Sequence, residues 1–252
     1  MKPYHARFEI DIVSALADQL VSSFEKLDAG PLDETILSQV ETDKGVYLLF
    51  HEEVLVYVGK AQNLRKRLTE HCVKISGRRN ITTSDMGFKC LYVHENWTAL
   101  APETSLIKHY KEQPGVCEWN GNGFGPHDPG RNREMTDKDP DGFDAMYPIR
   151  DDWPCDWIEA GEWNARELLL AMKKGLPYLF RFQTADKHRF RNGHPHYNDV
   201  EITVPHTGMP ARELLKLVAS HLDGWQATLF PSHMILYEEE HTYKFGTVIW
   251  PE

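Results

Sequence analysis

Apolar residues at Ile12, Val13, Leu16, Leu20, Val21, Phe24 and Leu27 keep helical spacing and predict an amphipathic helix over residues 10–27. Gly30-Pro31 breaks it, and a short helix is expected over residues 33–40. The pattern then switches. Residues 45–50 (GVYLLF) and 54–58 (VLVYV) are short runs rich in branched and aromatic side chains. Separated only by His51-Glu52-Glu53, they read as a β-hairpin. A helix over residues 62–73, with Leu64 and Leu68 inward, a strand over 88–93 and a helix over 104–110 follow. Pro102 suits the first turn of that last helix.

Residues 117–133 are rich in Gly and Asn and read as a loop. Residues 137–156 are acidic and contain Pro140, Pro148 and Pro154, which suggests a linker. A second region follows, with helices expected over 164–174 and 210–222 and strands over 178–182, 200–204, 226–230, 234–237 and 243–250. Ala-Arg-Glu-Leu-Leu occurs at 165–169 and again at 211–215. Five common helix formers are too few to establish a duplication, which needs a sustained period.

Composition refines this picture. With 252 residues, 41% of them hydrophobic, the chain has room for one large core or two small ones. No apolar run is long enough to cross a bilayer, and residues 1–7 do not lead into a signal-peptide core, so a soluble cytoplasmic protein is expected. Cys72, Cys90, Cys117 and Cys155 form no C-x-x-C pair, so reduced, partly buried thiols are expected rather than zinc knuckles or disulfides. The net charge of -10 argues against a passive nucleic-acid coat protein. The charge is polarised, however. Lys60, Arg65, Lys66, Arg67, Lys74, Arg78 and Arg79 share residues 60–79 with one acid, Glu70, while acids gather at Asp137, Asp139, Asp141, Asp144, Asp151, Asp152 and Asp156. The basic run suits a phosphate-binding face, with a solvated helix face as the lesser alternative.

Particular residues give the first half its chemistry. Tyr47 lies in the first hairpin strand and Tyr57 in the second, before Val58-Gly59-Lys60. Arg67 follows Tyr57 by ten residues, and His71 lies four further on, on the same helical face. Glu103 opens the later helix, and Asn120 lies beyond it in Trp119-Asn120-Gly121. Taken singly, these are half-buried strand aromatics, a solvated arginine, a satisfied histidine and a first-turn acid. Their joint order is what carries information.

That order resembles the GIY-YIG nuclease superfamily over about residues 44–120. Gly45-Val46-Tyr47 stands for the GIY half and Tyr57-Val58-Gly59 for the YIG half, with Val46 and Val58 replacing one branched apolar residue by another. The resemblance implies an α/β (α+β) nuclease core, a small antiparallel sheet flanked by helices. It also implies catalytic roles for Tyr47, Tyr57, Arg67, His71, Glu103 and Asn120, with Asn122 competing for the role of Asn120. Glu103 would hold the metal, Mg2+ or Mn2+, one per active site. Arg67 would clamp the phosphate. Tyr47 would be the base, its phenol lowered by Lys60, Arg67 and the metal. Tyr57 and His71 would orient water or phosphate, and Asn120 would hold the scissile strand or brace Tyr47.

The stretch from Asn122 to Arg131 further resembles the loop after the core in GIY-YIG type II restriction endonucleases, a branch that also has an N-terminal helical extension. Phe143 to Pro148 continues that match. The organisation expected from this is an N-terminal helical arm over 1–43 and a nuclease core with its DNA-contact loop over 44–136. An acidic linker over 137–156 and a C-terminal α+β region of unknown role over 157–252 complete it. Arg65, Lys66, Arg78, Arg79, Asn122, His127, Arg131 and Arg133 are the expected DNA contacts. The implied function is site-specific cleavage of double-stranded DNA by a homodimer, alongside a cognate DNA methyltransferase. The N-terminal helices are candidate dimer or DNA-clamp elements.

Competing readings are a structure-specific or repair nuclease, a defence nuclease that senses modified DNA, and a DNA-binding protein with an inactive nuclease fold. Retention of the whole constellation opposes the last. His194-Pro195-His196 offers two metal ligands without a third placed by spacing, so a polar loop is expected there. The glycines at 121, 123 and 125 lack the flanking strand and helix of a dinucleotide fingerprint. Trp153, Trp157 and Trp163 are expected to anchor the second region, with base stacking as the alternative.

Overall fold

The computed structural model describes residues 4–5, 11–93, 102–125, 130–139, 142–185 and 193–251. They divide into two compact units. The first comprises residues up to Cys72 together with Thr83–Asn122, and the second comprises Val73–Thr82 and the chain from Gly123 onward.

The first unit is built on an antiparallel sheet in the order β1-β4-β2-β3. Its strands are β1 (Gly30–Pro31), β2 (Gly45–His51), β3 (Val54–Ala61) and β4 (Met86–Tyr92). The hairpin turn is one residue tighter than its sequence suggests. His51 pairs with Val54, so only Glu52 and Glu53 turn, both at positive φ, 47° and 68°. That backbone is the one favoured between twisted strands, although glycine and asparagine are its usual occupants. A bulge follows, where Leu49 pairs with Tyr57 but Phe50 pairs with Leu55. It lets Leu55 and Val58 join one core cluster although they are three residues apart.

Helix α1 (Ile12–Glu25) starts on Asp11, whose side chain accepts from the Ser14 N–H at 2.9 Å. Its apolar face, Leu16, Leu20 and Phe24, shares a core with Val46, Leu48 and Val58 of the sheet and Leu106 of α4 (Pro102–Tyr110). The expected N-terminal arm is thereby corrected: α1 is a layer of this core, because its buried stripe has the sheet to cover it. A single turn, α2 (Glu34–Leu37), is capped by Asp33, and α3 (Leu64–Ser76) buries Leu64 and Leu68 completely.

The second unit holds a four-stranded sheet in the order β10-β8-β9-β6 and a two-stranded pair, β5 with β7. The strands are β5 (Gly161–Asn164), β6 (Leu179–Phe182), β7 (Glu201–Val204), β8 (Trp225–Leu229), β9 (His233–Glu238) and β10 (Thr247–Trp250). Its helices are α5 (Phe143–Met146), α6 (Ala165–Gly175) and α7 (Ala211–Ser220). The repeated pentapeptide begins both α6 and α7. Ala165, Leu168 and Leu169 are fully buried, as are Ala211, Leu214 and Leu215, so the string recurs where two helices meet one core in the same way.

The acidic linker is also corrected. Ile149 and Cys155 lie in the main core of the second unit, and Phe143 is fully buried. Two acids of this segment are used internally. Asp144 pairs with Arg78 at 2.8 Å and also accepts from Arg133, while Asp151 pairs with Arg79 at 2.6 Å. Arg78 further donates to the Tyr147 carbonyl at 3.1 Å, and burial lowers its pKa to about 10, which leaves it charged near neutrality. Nearby, buried Glu134 accepts from Arg181 and from the Tyr237 hydroxyl.

Two outcomes follow. Asp144→Ala leaves the Arg78 charge buried without its carboxylate and is expected to destabilise the chain by about 3–5 kcal/mol in urea unfolding; a loss within error of zero contradicts the pairing. The four cysteines are unpaired. Burial raises all four thiol pKa values, to about 11 at Cys90 and Cys117 and about 12 at Cys155. A raised pKa depletes thiolate at neutral pH, so alkylation of the native chain at about pH 8 is expected to be slow and to become complete only on unfolding.

Candidate active site

The site is assembled in the first unit from β2, β3, α3 and α4. Tyr47 and Gly59 face each other in the β2–β3 register. A Cβ on Gly59 would stand 2.3 Å from the Tyr47 hydroxyl oxygen, so only glycine lets the phenol lie across β3. Gly45 is held by the same kind of constraint, since a Cβ there would meet the Leu91 carbonyl oxygen at 2.1 Å.

Tyr47 is 1% exposed, and its hydroxyl lies 2.7 Å from His71 Nε2. Arg67 Nε donates to the same oxygen at 3.4 Å. One helical turn separates Arg67 from His71, and Asn63 caps the start of α3 by accepting from the Lys66 N–H at 2.9 Å. Glu70 holds the far end of the Arg67 guanidinium at 3.0 Å. Tyr57 completes the cluster, its ring 6.1 Å from Tyr47 and 5.7 Å from His71. Glu103, in the first turn of α4, lies 3.9 Å from Lys60 Nζ.

Burial dominates the electrostatics. It pushes the Tyr47 phenol well above its ordinary value, an effect reinforced by Tyr57 and only partly opposed by Arg67. Tyr57 is raised for the same first reason, with the Glu103 charge next. Among the chain's own groups, desolvation of the Tyr47 phenol outweighs the pull of the Arg67 guanidinium. Glu103 is itself raised by burial, against the opposing pull of Lys60 and Arg67.

The remaining predicted residues fare differently. Asn120 accepts from the Val58 N–H at 2.9 Å and donates to the Val58 carbonyl at 2.8 Å. These two bonds brace β3 beside Tyr57 and Gly59. Asn122 donates instead to the Glu118 carbonyl at 2.7 Å. Arg65 Nε donates to the Val40 carbonyl, and Lys66 is exposed.

Arg78 as a DNA contact is corrected, because it is 5% exposed and paired with Asp144. Arg133 is likewise tied to Asp144, and Arg79 to Asp151 and Asp152. Arg131 lies 4.0 Å over the Tyr237 ring and 3.7 Å from Glu239. His127 lies outside the described residues. Gly59 as the seat of the phenol and Glu70 as the holder of Arg67 were missed as roles. The glycine after Tyr57-Val58 was visible as a motif, and Glu70 as the lone acid three residues after Arg67.

A hairpin with this tyrosine pair, an arginine and histidine one turn apart on the next helix, and a carboxylate on the helix after the third strand define a GIY-YIG nuclease domain. Its particular type follows from the family match: residues 45–154 fit the model described as the Eco29kI GIY-YIG domain. The chain is also similar to UvrABC system protein C of Aquifex aeolicus (strain VF5), 30% identical over 94 residues, which are 36% of this chain and 17% of that protein. The UvrABC system protein C of Fervidobacterium nodosum is 31% identical over 81 residues, 32% of this chain and 14% of that protein. The matched stretch thus spans less than a fifth of these relatives.

Gly59→Ala is expected to displace the Tyr47 phenol and remove nuclease activity, with near-UV circular dichroism altered and far-UV circular dichroism kept. Full activity in this variant would contradict the close approach.

Proposed function

We propose that the chain is a metal-dependent DNA endonuclease that hydrolyses both strands of duplex DNA at specific sites, in the manner of a type II restriction enzyme. The observation that carries this reading is the Tyr47 hydroxyl held between His71 Nε2 at 2.7 Å and Arg67 Nε at 3.4 Å. That arrangement suits deprotonation of a water attacking a phosphodiester. With His71 in the tautomer that leaves Nε2 unprotonated, the phenol works as a relay: its oxygen accepts a proton from water while its own proton passes to His71 Nε2, so no standing phenolate is required. The Arg67 guanidinium offers planar donors to the phosphate as negative charge grows there.

Glu103 is the residue to hold a divalent metal. Its carboxylate is partly exposed and only loosely paired with Lys60, at 3.9 Å. Among the described residues it belongs to no group of three potential ligands. A single carboxylate completed by water suits Mg2+, which keeps much of its hydration shell, and Mn2+ is the close alternative. When bound there, the metal supplies Lewis-acid stabilisation of the phosphate and the leaving oxygen. Lys60 then adds a second cation beside it.

Cutting both strands of a palindrome calls for two such sites, which a homodimer supplies by symmetry. A cognate methyltransferase is the expected companion of such an activity. The similarity to UvrABC system protein C favours a second reading, a nuclease acting on damaged or branched DNA. The family match through residue 154 extends beyond the shared core and favours the first.

The test is to incubate wild type, Tyr47→Phe, His71→Ala and Glu103→Ala with unmodified, methylated and branched duplex DNA, with Mg2+ or EDTA, and to sequence the fragment ends. Discrete Mg2+-dependent fragments from unmodified duplex are expected. Tyr47→Phe and His71→Ala are expected to cut about 10²–10⁴-fold more slowly, and Glu103→Ala not at all. Cleavage confined to branched DNA would replace the first reading by the second.

A further inference from the structure

His194-Pro195-His196 has a third partner that no spacing rule reveals. Glu238, at the end of β9, places one carboxylate oxygen 3.6 Å from His194 Nε2 and the other 3.6 Å from His196 Nδ1. One donor atom from each residue fits within 4.8 Å of the others, and this is the sole group of three or more potential ligands found among the described residues. We propose that these three side chains form a transition-metal site, best suited to Zn2+, in the second unit of the chain.

Geometry supports it. Ligands at about 2.0–2.1 Å from a tetrahedral zinc lie about 3.4 Å from one another; each imidazole nitrogen stands 3.6 Å from a different oxygen of the Glu238 carboxylate, so closure round a metal calls for the partly exposed Glu238 and His196 side chains to turn inward. Two imidazoles and one carboxylate suit zinc and disfavour Mg2+, which prefers oxygen donors alone. His196 is 52% and Glu238 39% exposed at the side chain, so a metal held there would be open to water.

The imidazoles are preorganised. Tyr197 is fully buried beside them and donates its hydroxyl to the Gln183 carbonyl at 2.7 Å. Asn164 holds the same turn by donating to the Asn198 carbonyl at 2.9 Å. His194 Nδ1 accepts from the His196 N–H at 3.3 Å, which turns Nε2 toward Glu238. The metal would therefore bind the 194–196 turn to the end of β9, using none of the residues of the candidate active site.

Trp225 reports on the site. Its ring is 5.2 Å from His194, and its indole N–H donates to His196 Nδ1 at 3.3 Å. Metal on that nitrogen displaces this bond and perturbs the indole.

The experiment titrates Zn2+ into the chelator-stripped full chain, following heat and tryptophan emission, for wild type, Glu103→Ala, His196→Ala and Glu238→Gln, with Mg2+ in excess throughout. Both substituted ligands are partly exposed, and circular dichroism confirms the fold of each variant. Wild type and Glu103→Ala are expected to take up one Zn2+ per chain with a change in emission. His196→Ala and Glu238→Gln are expected to bind at least about tenfold more weakly, because loss of a direct ligand should cost no less than loss of the groups that orient one. The proposal is overturned if wild type takes up no zinc, or if both ligand variants bind it as tightly as wild type.

Discussion

The approach of Tyr47 to Gly59 is the constraint on which the candidate active site depends. A strand register that slipped by one residue would send the phenol to the opposite face of the sheet. The tight turn at Glu52-Glu53 and the bulge beyond Leu49 set that register between Tyr47 on one strand and Gly59 on the other. Asn120 then clamps the backbone of Val58, one residue from Gly59. With the phenol set, α3 needs only its own period to bring Arg67 and His71 to the same oxygen. Burial of Leu64 and Leu68 fixes the helix rotation.

This packing has an electrostatic consequence. A phenol that is almost wholly buried loses the hydration that would stabilise its anion, and one guanidinium at 3.4 Å does not restore it. The same burial gives the hydroxyl two fixed partners, His71 Nε2 and Arg67 Nε. The proposed relay through a neutral phenol draws on those two partners and requires no standing phenolate.

The strands and helices around Tyr47, Tyr57 and Arg67 were legible because each is a short, strongly patterned run bounded by polar or glycine residues. The juxtaposition of Tyr47, His71 and Arg67 followed from the resemblance and from helical spacing. What stayed hidden depends on contacts distant in sequence. The α1 stripe looks the same whether it covers a sheet or a partner, and only its packing against Val46 and Leu106 decides. Prolines and acids at 137–156 looked like a linker because the pattern of charge does not show that Asp144 meets Arg78, 66 residues earlier. Glu238 lies 42 residues beyond His196, so no motif could join them.

Charge placement bears on the apparent conflict between a net charge of -10 and the proposed polyanionic substrate. The basic run over 60–79 looked like one face, yet Arg78 and Arg79 answer to Asp144, Asp151 and Asp152 of the acidic segment. Arg78 is buried in its pair, while Arg79 is partly exposed with two acids of the same unit beside it. The cations around the buried tyrosines are few: Arg67, half-committed to Glu70, and Lys60, loosely set against Glu103. A loosely held cation is the one that can turn to a phosphate at small cost, because no short, buried ion pair has to be broken first. On the proposed reading, phosphate attraction is concentrated beside the reacting oxygen, while Arg78, in the same basic run, serves the fold.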